Sequence, residues 1–210
     1  MSTPTITTAS AREDLPGFRG RLVGPEDAAY DEARKVYNAM IDKRPALVAY
    51  AADAGDVAAV VSFARDRDLL LAVRGGGHNG AGLGTCDGGV VLDLSQLRAI
   101  DVDPGARTVR VGGGCTWGEV DRATAAHGLA TPSGIISTTG VGGLTLGGGI
   151  GHLTRKCGLT IDNLLEADVV LASGERVRAS ATCCWRSAAG RTTAPGSAPA
   201  TTASCLTCPR

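Results

Sequence analysis

The chain has 210 residues, 43% apolar and only 3% aromatic, with 21 basic and 21 acidic side chains and a formal net charge of zero. That length fits one domain or two small lobes, and the charge balance argues against nucleic acid or a membrane surface as partner. No apolar run approaches the roughly 20 residues of a spanning helix, and Met1-Ser2-Thr3-Pro4 opens no basic-then-apolar secretory signal. Cys86, Cys115 and Cys157 are scattered, as the reduced thiols of a cytoplasmic protein would be, so that location is expected.

Taken in chain order, Gly24-Pro25 leads into Ala29, Ala33, Val36, Tyr37, Met40 and Ile41 at helical spacing, which predicts a helix ending before Pro45. Leu47-Val48-Ala49-Tyr50 predicts a short buried strand, and Val57, Val60, Val61 and Ala64 a second amphipathic helix. Leu69-Leu70-Leu71-Ala72-Val73 predicts a strand that delivers the chain into Arg74-Gly75-Gly76-Gly77-His78-Asn79. Strand, helix, strand in that order is the outline of a βαβ crossover. A further strand is expected over 90–94, and a hairpin over 99–102 and 108–111 around Asp103-Pro104-Gly105. Thr116 with Glu119 reads as the capping box of a helix ending near Gly128. Residues 167–172 and 176–178 predict a second hairpin across Ser173-Gly174. The mixture is α+β, with two lobes meeting at the glycine runs.

Residues 181–210 differ in kind: they contain no Asp, Glu, Lys, Ile, Val, Phe, Tyr or Met. Such a segment buries too little apolar surface to offset its ordering entropy. Its Ala, Arg, Pro, Gly, Thr, Ser and Cys palette is what a frameshift in a GC-rich gene would produce. The expected organisation is an N-terminal extension over 1–24, a domain over 25–180 with lobes at about 45–97 and 98–180, and a disordered, out-of-frame tail over 181–210. Cys205-Leu206-Thr207-Cys208 has no second pair and no nearby histidine, so no metal site is expected.

The chemistry concentrates in two glycine runs. Gly75-Gly76-Gly77 removes three β-carbons, which lets backbone N–H groups turn inward around phosphate. Arg74 offers a planar donor matched to phosphate oxygens, and His78 would point from the loop into the site. The first reading is a nucleotide cofactor held by backbone; simple tight turns are the alternative. Neither a phosphate-binding loop ending in Gly-Lys-Ser/Thr nor a Gly-x-Gly-x-x-Gly fingerprint fits the second run, 140–151.

The combination is more specific. Arg74 to Asn79, then Asp87-Gly-Gly-Val-Val-Leu-Asp93-Leu94, are followed by Thr139-Gly140-Val-Gly-Gly143-Leu-Thr145-Leu-Gly-Gly-Gly149-Ile-Gly151 and Lys156-Cys-Gly158-Leu-Thr-Ile-Asp162-Asn163. This text resembles the FAD-linked oxidases with a vanillyl-alcohol-oxidase-type flavin domain, in their berberine-bridge-enzyme-like and 6-hydroxy-D-nicotine-oxidase-like branch. The resemblance covers about residues 25–180 and implies a two-lobed PCMH-type FAD-binding domain. It places Arg74, Gly75, Gly76, Gly77, His78 and Asn79 on the pyrophosphate side. Gly140, Gly142, Gly143, Thr145, Gly148, Gly149 and Gly151 are implied as further cofactor contacts, with Val169 and Val170 near the adenine. It also implies a covalent bond from His78 to the flavin 8α-methyl. Many relatives add a second link through a cysteine three residues before the position of Thr139. Ile136 stands there, so a single histidyl link is expected.

His152 occupies a place where the family often has an aromatic residue, and His127 suits a helix C-terminus. The implied activity passes hydride from a small-molecule substrate to FAD, and dioxygen then yields hydrogen peroxide. The family's substrate domain and its usual tyrosine base lie C-terminal to the flavin lobe, beyond what this chain is expected to contain. Tyr30, Tyr37 and Tyr50 precede the first glycine run and match no such base, so the catalytic residues stay unassigned and the oligomeric state open. The rivals are a remnant that at most binds FAD, and a noncovalent FAD reductase of the peptidoglycan-precursor type, which would leave His78 without a purpose.

Overall fold

The computed structural model describes residues 6–180 and, as backbone, 200–207. The first lobe contains α1 (Thr8–Asp14), β1 (Arg21–Val23), α2 (Tyr30–Ala33), β2 (Leu47–Tyr50), α3 (Ala54–Asp66), β3 (Leu71–Arg74) and β4 (Val90–Asp93). Its sheet runs β1-β2-β4-β3, with β2 and β3 both parallel to β4 and β1 antiparallel at the edge. Every residue of β4 and three of the four in β2 are buried, as expected of parallel strands covered on both faces. Asp53 caps α3 by accepting from the N–H groups of Gly55 (2.6 Å) and Asp56 (2.9 Å). The helix then sets Val57, Val60, Val61 and Phe63 against Leu47, Ala49, Val90 and Leu92.

The second lobe contains β5 (Ile100–Asp103), β6 (Thr108–Gly112), α4 (Trp117–Ala125), α5 (Val141–Leu146), α6 (Thr154–Cys157), β7 (Leu164–Val170), β8 (Arg176–Ser180) and β9 (Ala200–Thr207). The sheet order is β5-β6-β9-β7-β8, antiparallel throughout. Both expected hairpins form, and the capping box is present, with Thr116 N–H donating to Glu119 Oε2 at 2.7 Å. Trp117, Val109, Val111 and Leu164 centre a second core. Val170 packs in the first core and Val169 in the second, so β7 borders both lobes. The fold is α+β and two-lobed. Among the described residues, no helix is long and apolar enough to cross a membrane. Cys86 and Cys115 are buried in the packing, and burial together with Glu119 pushes the Cys115 thiol up to about 11.

Two expectations are corrected, the helix before Pro45 and the absence of structure at 200–207. The helix predicted from Ala29 to Ile41 is confined to Tyr30–Ala33. A continuing helix would join Tyr37 N–H to the Ala33 carbonyl, but Tyr37 donates to Gly77 O (3.1 Å) and Ala33 O accepts from Arg74 (2.7 Å). Tertiary hydrogen bonds thus override an apolar spacing that looked helical, and residues 34–45 run as an irregular strap with a turn at 38–41.

The described part of the N-terminal extension, residues 6–24, packs on the first lobe. Ala11 and Leu15 of the α1 segment and Leu22 of β1 are buried in the first core, and β1 covers the outer edge of β2. Within the expected tail, Ala200–Thr207 forms β9 between β6 and β7. Ladder pairing uses main-chain groups, so a stretch without Ile or Val can still pair where two open edges face each other; its threonines suit a strand. The remaining tail positions, with Cys183, Cys184, Cys208 and the out-of-frame expectation, lie outside the described residues.

Candidate functional site

β3 and β4 end side by side, in a register that pairs Arg74 with Asp93. Arg74 is buried, and its Nε donates to Asp93 Oδ2 at 2.5 Å. Its Nη1 donates to Lys35 O (3.1 Å) and its Nη2 to Ala33 O (2.7 Å). Three of the five guanidinium N–H groups are thus engaged inside the protein, while Arg74 also borders the cleft beside the glycines. What it does is tie the strap to the sheet. Further along, Asn38 Nδ2 donates to Gly80 O (3.1 Å), and Lys43 Nζ to Gly82 O (3.1 Å) and Thr85 O (3.3 Å). The strap and the loop after the glycines are stitched edge to edge.

The glycines act by close approach. A β-carbon on Gly76 would lie 2.8 Å from Gly140 Cα, so the two runs touch backbone to backbone there. The Gly113 carbonyl oxygen would lie 3.3 Å from a β-carbon at Gly75 and 3.5 Å from one at Gly142. A third glycine segment, 112–114, is thus part of the same cradle. It packs against the chain after β4, where a β-carbon on Gly114 would lie 2.6 Å from the Leu94 carbonyl carbon. The segment leading into α5 is fixed by Trp117 N–H to Thr139 O (3.0 Å), Gly118 N–H to Ser137 O (2.8 Å) and Val141 N–H to Cys115 O (2.9 Å). That pinning brings Thr138 to the first loop.

His78 lies half-buried where these pieces meet. Its ring stacks on Tyr37, centroids 4.0 Å apart and planes 17° from parallel, and its Nε2 lies 3.0 Å from Thr138 Oγ1. Burial lowers the imidazole pKa below its usual 6.5, opposed by a hydrogen bond to the Thr138 backbone. The ring is therefore neutral at neutral pH, with Nδ1 left to carry chemistry once Nε2 is engaged. A cleft of about 410 Å³ opens here, lined by Gly75, Gly76, Gly77, His78, Tyr37, Ser95 and Thr138 among others.

The other expected site residues are distributed unevenly. Asn79 turns back on its own loop, its Oδ1 accepting from Ala81 and Leu83 N–H groups. Gly140, Gly142 and Gly143 form the start of α5, and Thr145 is buried with its hydroxyl on Val141 O (2.7 Å). Gly148 and Gly149 take left-handed φ of 102° and 76° and hold residues 160 and 161 by hydrogen bonds. Gly151 packs on the backbone of Ser133 and Gly134. Val169 and Val170 have core side chains, 7% and 1% exposed, away from the cleft lining. His127 and His152 are exposed. Tyr37, Thr138 and Gly113 were absent from the sequence-based site. Gly112-Gly113-Gly114 was visible as a run, whereas Tyr37 and Thr138 join His78 only through tertiary contacts.

Residues 45–180 match the family described as FAD binding domain. The chain is 40% identical over 163 residues to (R)-6-hydroxynicotine oxidase of Paenarthrobacter nicotinovorans, covering 78% of this chain and 36% of that protein. Physcomitrella patens BBE-like 1 superposes with a TM-score of 0.84 at 29% identity, over 94% of this chain and 44% of that one. Glucooligosaccharide oxidase from Acremonium strictum, with its 6-S-cysteinyl, 8α-N1-histidyl FAD, superposes with a TM-score of 0.80 at 26% identity, over 90% and 40%. The chain spans little more than a third of the length of the curated relative.

Proposed function

The chain belongs to the family of FAD-linked oxidoreductases that carry this FAD binding domain, and from that membership we propose that it is the FAD-holding portion of an oxidase whose cofactor is bonded to His78. The residues present fit such a group: bare glycine backbone at 75–77 lines the cleft, backed by the close contact of Gly76 with Gly140, and beside it lies a neutral imidazole. FAD, when bound, supplies a two-electron acceptor for substrate hydride that dioxygen can reoxidise to give hydrogen peroxide.

The chain's own part is to hold and to link. Gly75, Gly76 and Gly77 let main-chain groups approach the cofactor; the first-turn N–H groups of Gly142 and Gly143 in α5 lack intrahelical acceptors and would be further donors for it. The link would be a bond from His78 Nδ1 to the 8α carbon, made at the expense of one C–H and one N–H bond. The two electrons and two protons released would pass to dioxygen as hydrogen peroxide. A protonated ring has no lone pair for this step, so the burial that keeps His78 neutral favours it. In the tautomer whose Nε2–H donates to Thr138 Oγ1, the Nδ1 lone pair is available for the link.

Ile136 cannot form a thioether, so the link is single, unlike the doubly attached FAD named for the glucooligosaccharide oxidase. The substrate class follows the relatives: a small alcohol, sugar, amine or aromatic compound, with dioxygen as the second substrate.

The observation that carries this reading is the position of His78, fixed by Thr138 at the mouth of the glycine-walled cleft. Expressed with FAD and then denatured, the protein should stay yellow, and His78→Ala should release its flavin. A flavin-bearing peptide containing cysteine, or colour lost from the wild type on denaturation, would overturn the single histidyl link.

A further inference from the structure

We propose that Tyr37 is a positioning residue for His78: its ring, stacked on the imidazole, fixes the plane in which Nδ1 is presented, and the Arg74–Asp93 pair holds the strap that carries Tyr37. This inference rests on the histidyl link described above.

A histidine side chain turns about two torsions. The hydrogen bond from Nε2 to Thr138 restrains where one edge lies but leaves the ring able to swing about that bond. The Tyr37 face, 4.0 Å away and 17° from parallel, removes that freedom. Tyr37 is 68% exposed, so it is not placed there by burial of its own ring. It is placed by its backbone: its N–H donates to Gly77 O at 3.1 Å, one residue before His78. Upstream, Arg74 grips the carbonyls of Ala33 and Lys35 while its Nε is locked to Asp93. A line of contacts therefore runs from the end of β4 through Arg74 and the strap to the imidazole face. Two perpendicular restraints on one ring are what near-attack placement of a nucleophile requires.

The test uses the full chain and reads two properties. Without FAD, the His78 ring protons should show an upfield ring-current shift in NMR spectra of the wild type and of Tyr37→Phe, and lose it in Tyr37→Ala. With FAD added, covalent incorporation should proceed at the wild-type rate in Tyr37→Phe and about tenfold more slowly, or worse, in Tyr37→Ala. The linking rate is compared at saturating FAD, so that a change in noncovalent affinity at this cleft-lining position does not enter the comparison. Should Tyr37→Ala misfold, Tyr37→Leu supplies comparable bulk without a ring and carries the same expectation. A wild type without the ring-current shift, or an Ala variant that links as fast as the wild type, would overturn the role of Tyr37. A wild type that binds FAD and never links it would instead overturn the His78 reading itself.

Discussion

At Gly76 a β-carbon would sit 2.8 Å from Gly140 Cα, whereas at Gly143 it would meet no atom within 4 Å. The run at 75–77 is glycine where two backbones cross and where Gly77 turns left-handed, at φ 68°. The run at 140–151 divides its glycines among a short helix, two left-handed positions and a close approach to Ser133. One residue type thus occupies three different settings: contact with protein backbone, a left-handed turn of the chain, and, at Gly143, open space. Each setting predicts a different response to the same added methyl group.

The largest expected effect comes from the anchor of the first run. Arg74→Met strands the buried Asp93 carboxylate and frees the strap, which should cost about 3–5 kcal/mol. Urea unfolding without FAD should show that loss. If stability held and only FAD affinity fell, Arg74 would be a phosphate ligand and the first run would be anchored by something else. Next comes Gly76→Ala. The clash is with main-chain atoms that cannot rotate away, so about 2–3 kcal/mol is expected, together with loss of FAD retention. A variant with wild-type melting and full flavin would erase the contrast between the two runs.

Gly149→Ala tests the second run where it resembles the first. Its φ is 76°, and a β-carbon would lie 2.6 Å from Thr160 Cβ and from a Leu144 methyl. Left-handed strain alone costs about 1–2 kcal/mol, while part of the crowding can be relieved by side-chain movement. The melting temperature should fall by less than in Gly76→Ala, and the difference between the two variants measures backbone against side-chain crowding.

Much of the frame was legible in the sequence because it rests on local patterning. The apolar spacing of α3, the buried run Val90-Val91-Leu92, the Thr116–Glu119 cap and both hairpin turns are signals contained within a few residues. The failures share a cause. The strap carried a helical spacing but lost its Ala33 carbonyl to a side chain 41 residues away. β1 and β9 owe their pairing to open neighbouring edges rather than to their own sequences. In the site, His78 and the glycines at 75–77 were legible from their motif, since consecutive glycines before a histidine have few other uses. The buried pairing of Arg74 was not legible, because the same guanidinium suits a phosphate or a carboxylate, and the register that sets it opposite Asp93 is a tertiary feature. Tyr37 and Thr138 carried no local mark at all.

The smallest expected effect is the one that decides what the second run is for. Gly143 lies inside α5, has ordinary helical backbone and has nothing within 4 Å of a built β-carbon. On stability alone alanine is the better residue there, by about 0.5–1 kcal/mol, because glycine gives up more backbone freedom on folding. Neither strain nor crowding within the protein accounts for a glycine at this position. Under the proposed function a bound cofactor would, since a methyl group would hold it off the N–H groups at the start of the helix. Gly143→Ala should therefore melt at or slightly above the wild-type temperature without FAD while binding FAD more weakly. Scanning calorimetry with and without the cofactor separates the two effects, because bound ligand adds stability only in proportion to its affinity. If Gly143→Ala gained stability in both conditions, the space beside Gly143 would not face the cofactor, and the second run would be a device for turning the chain.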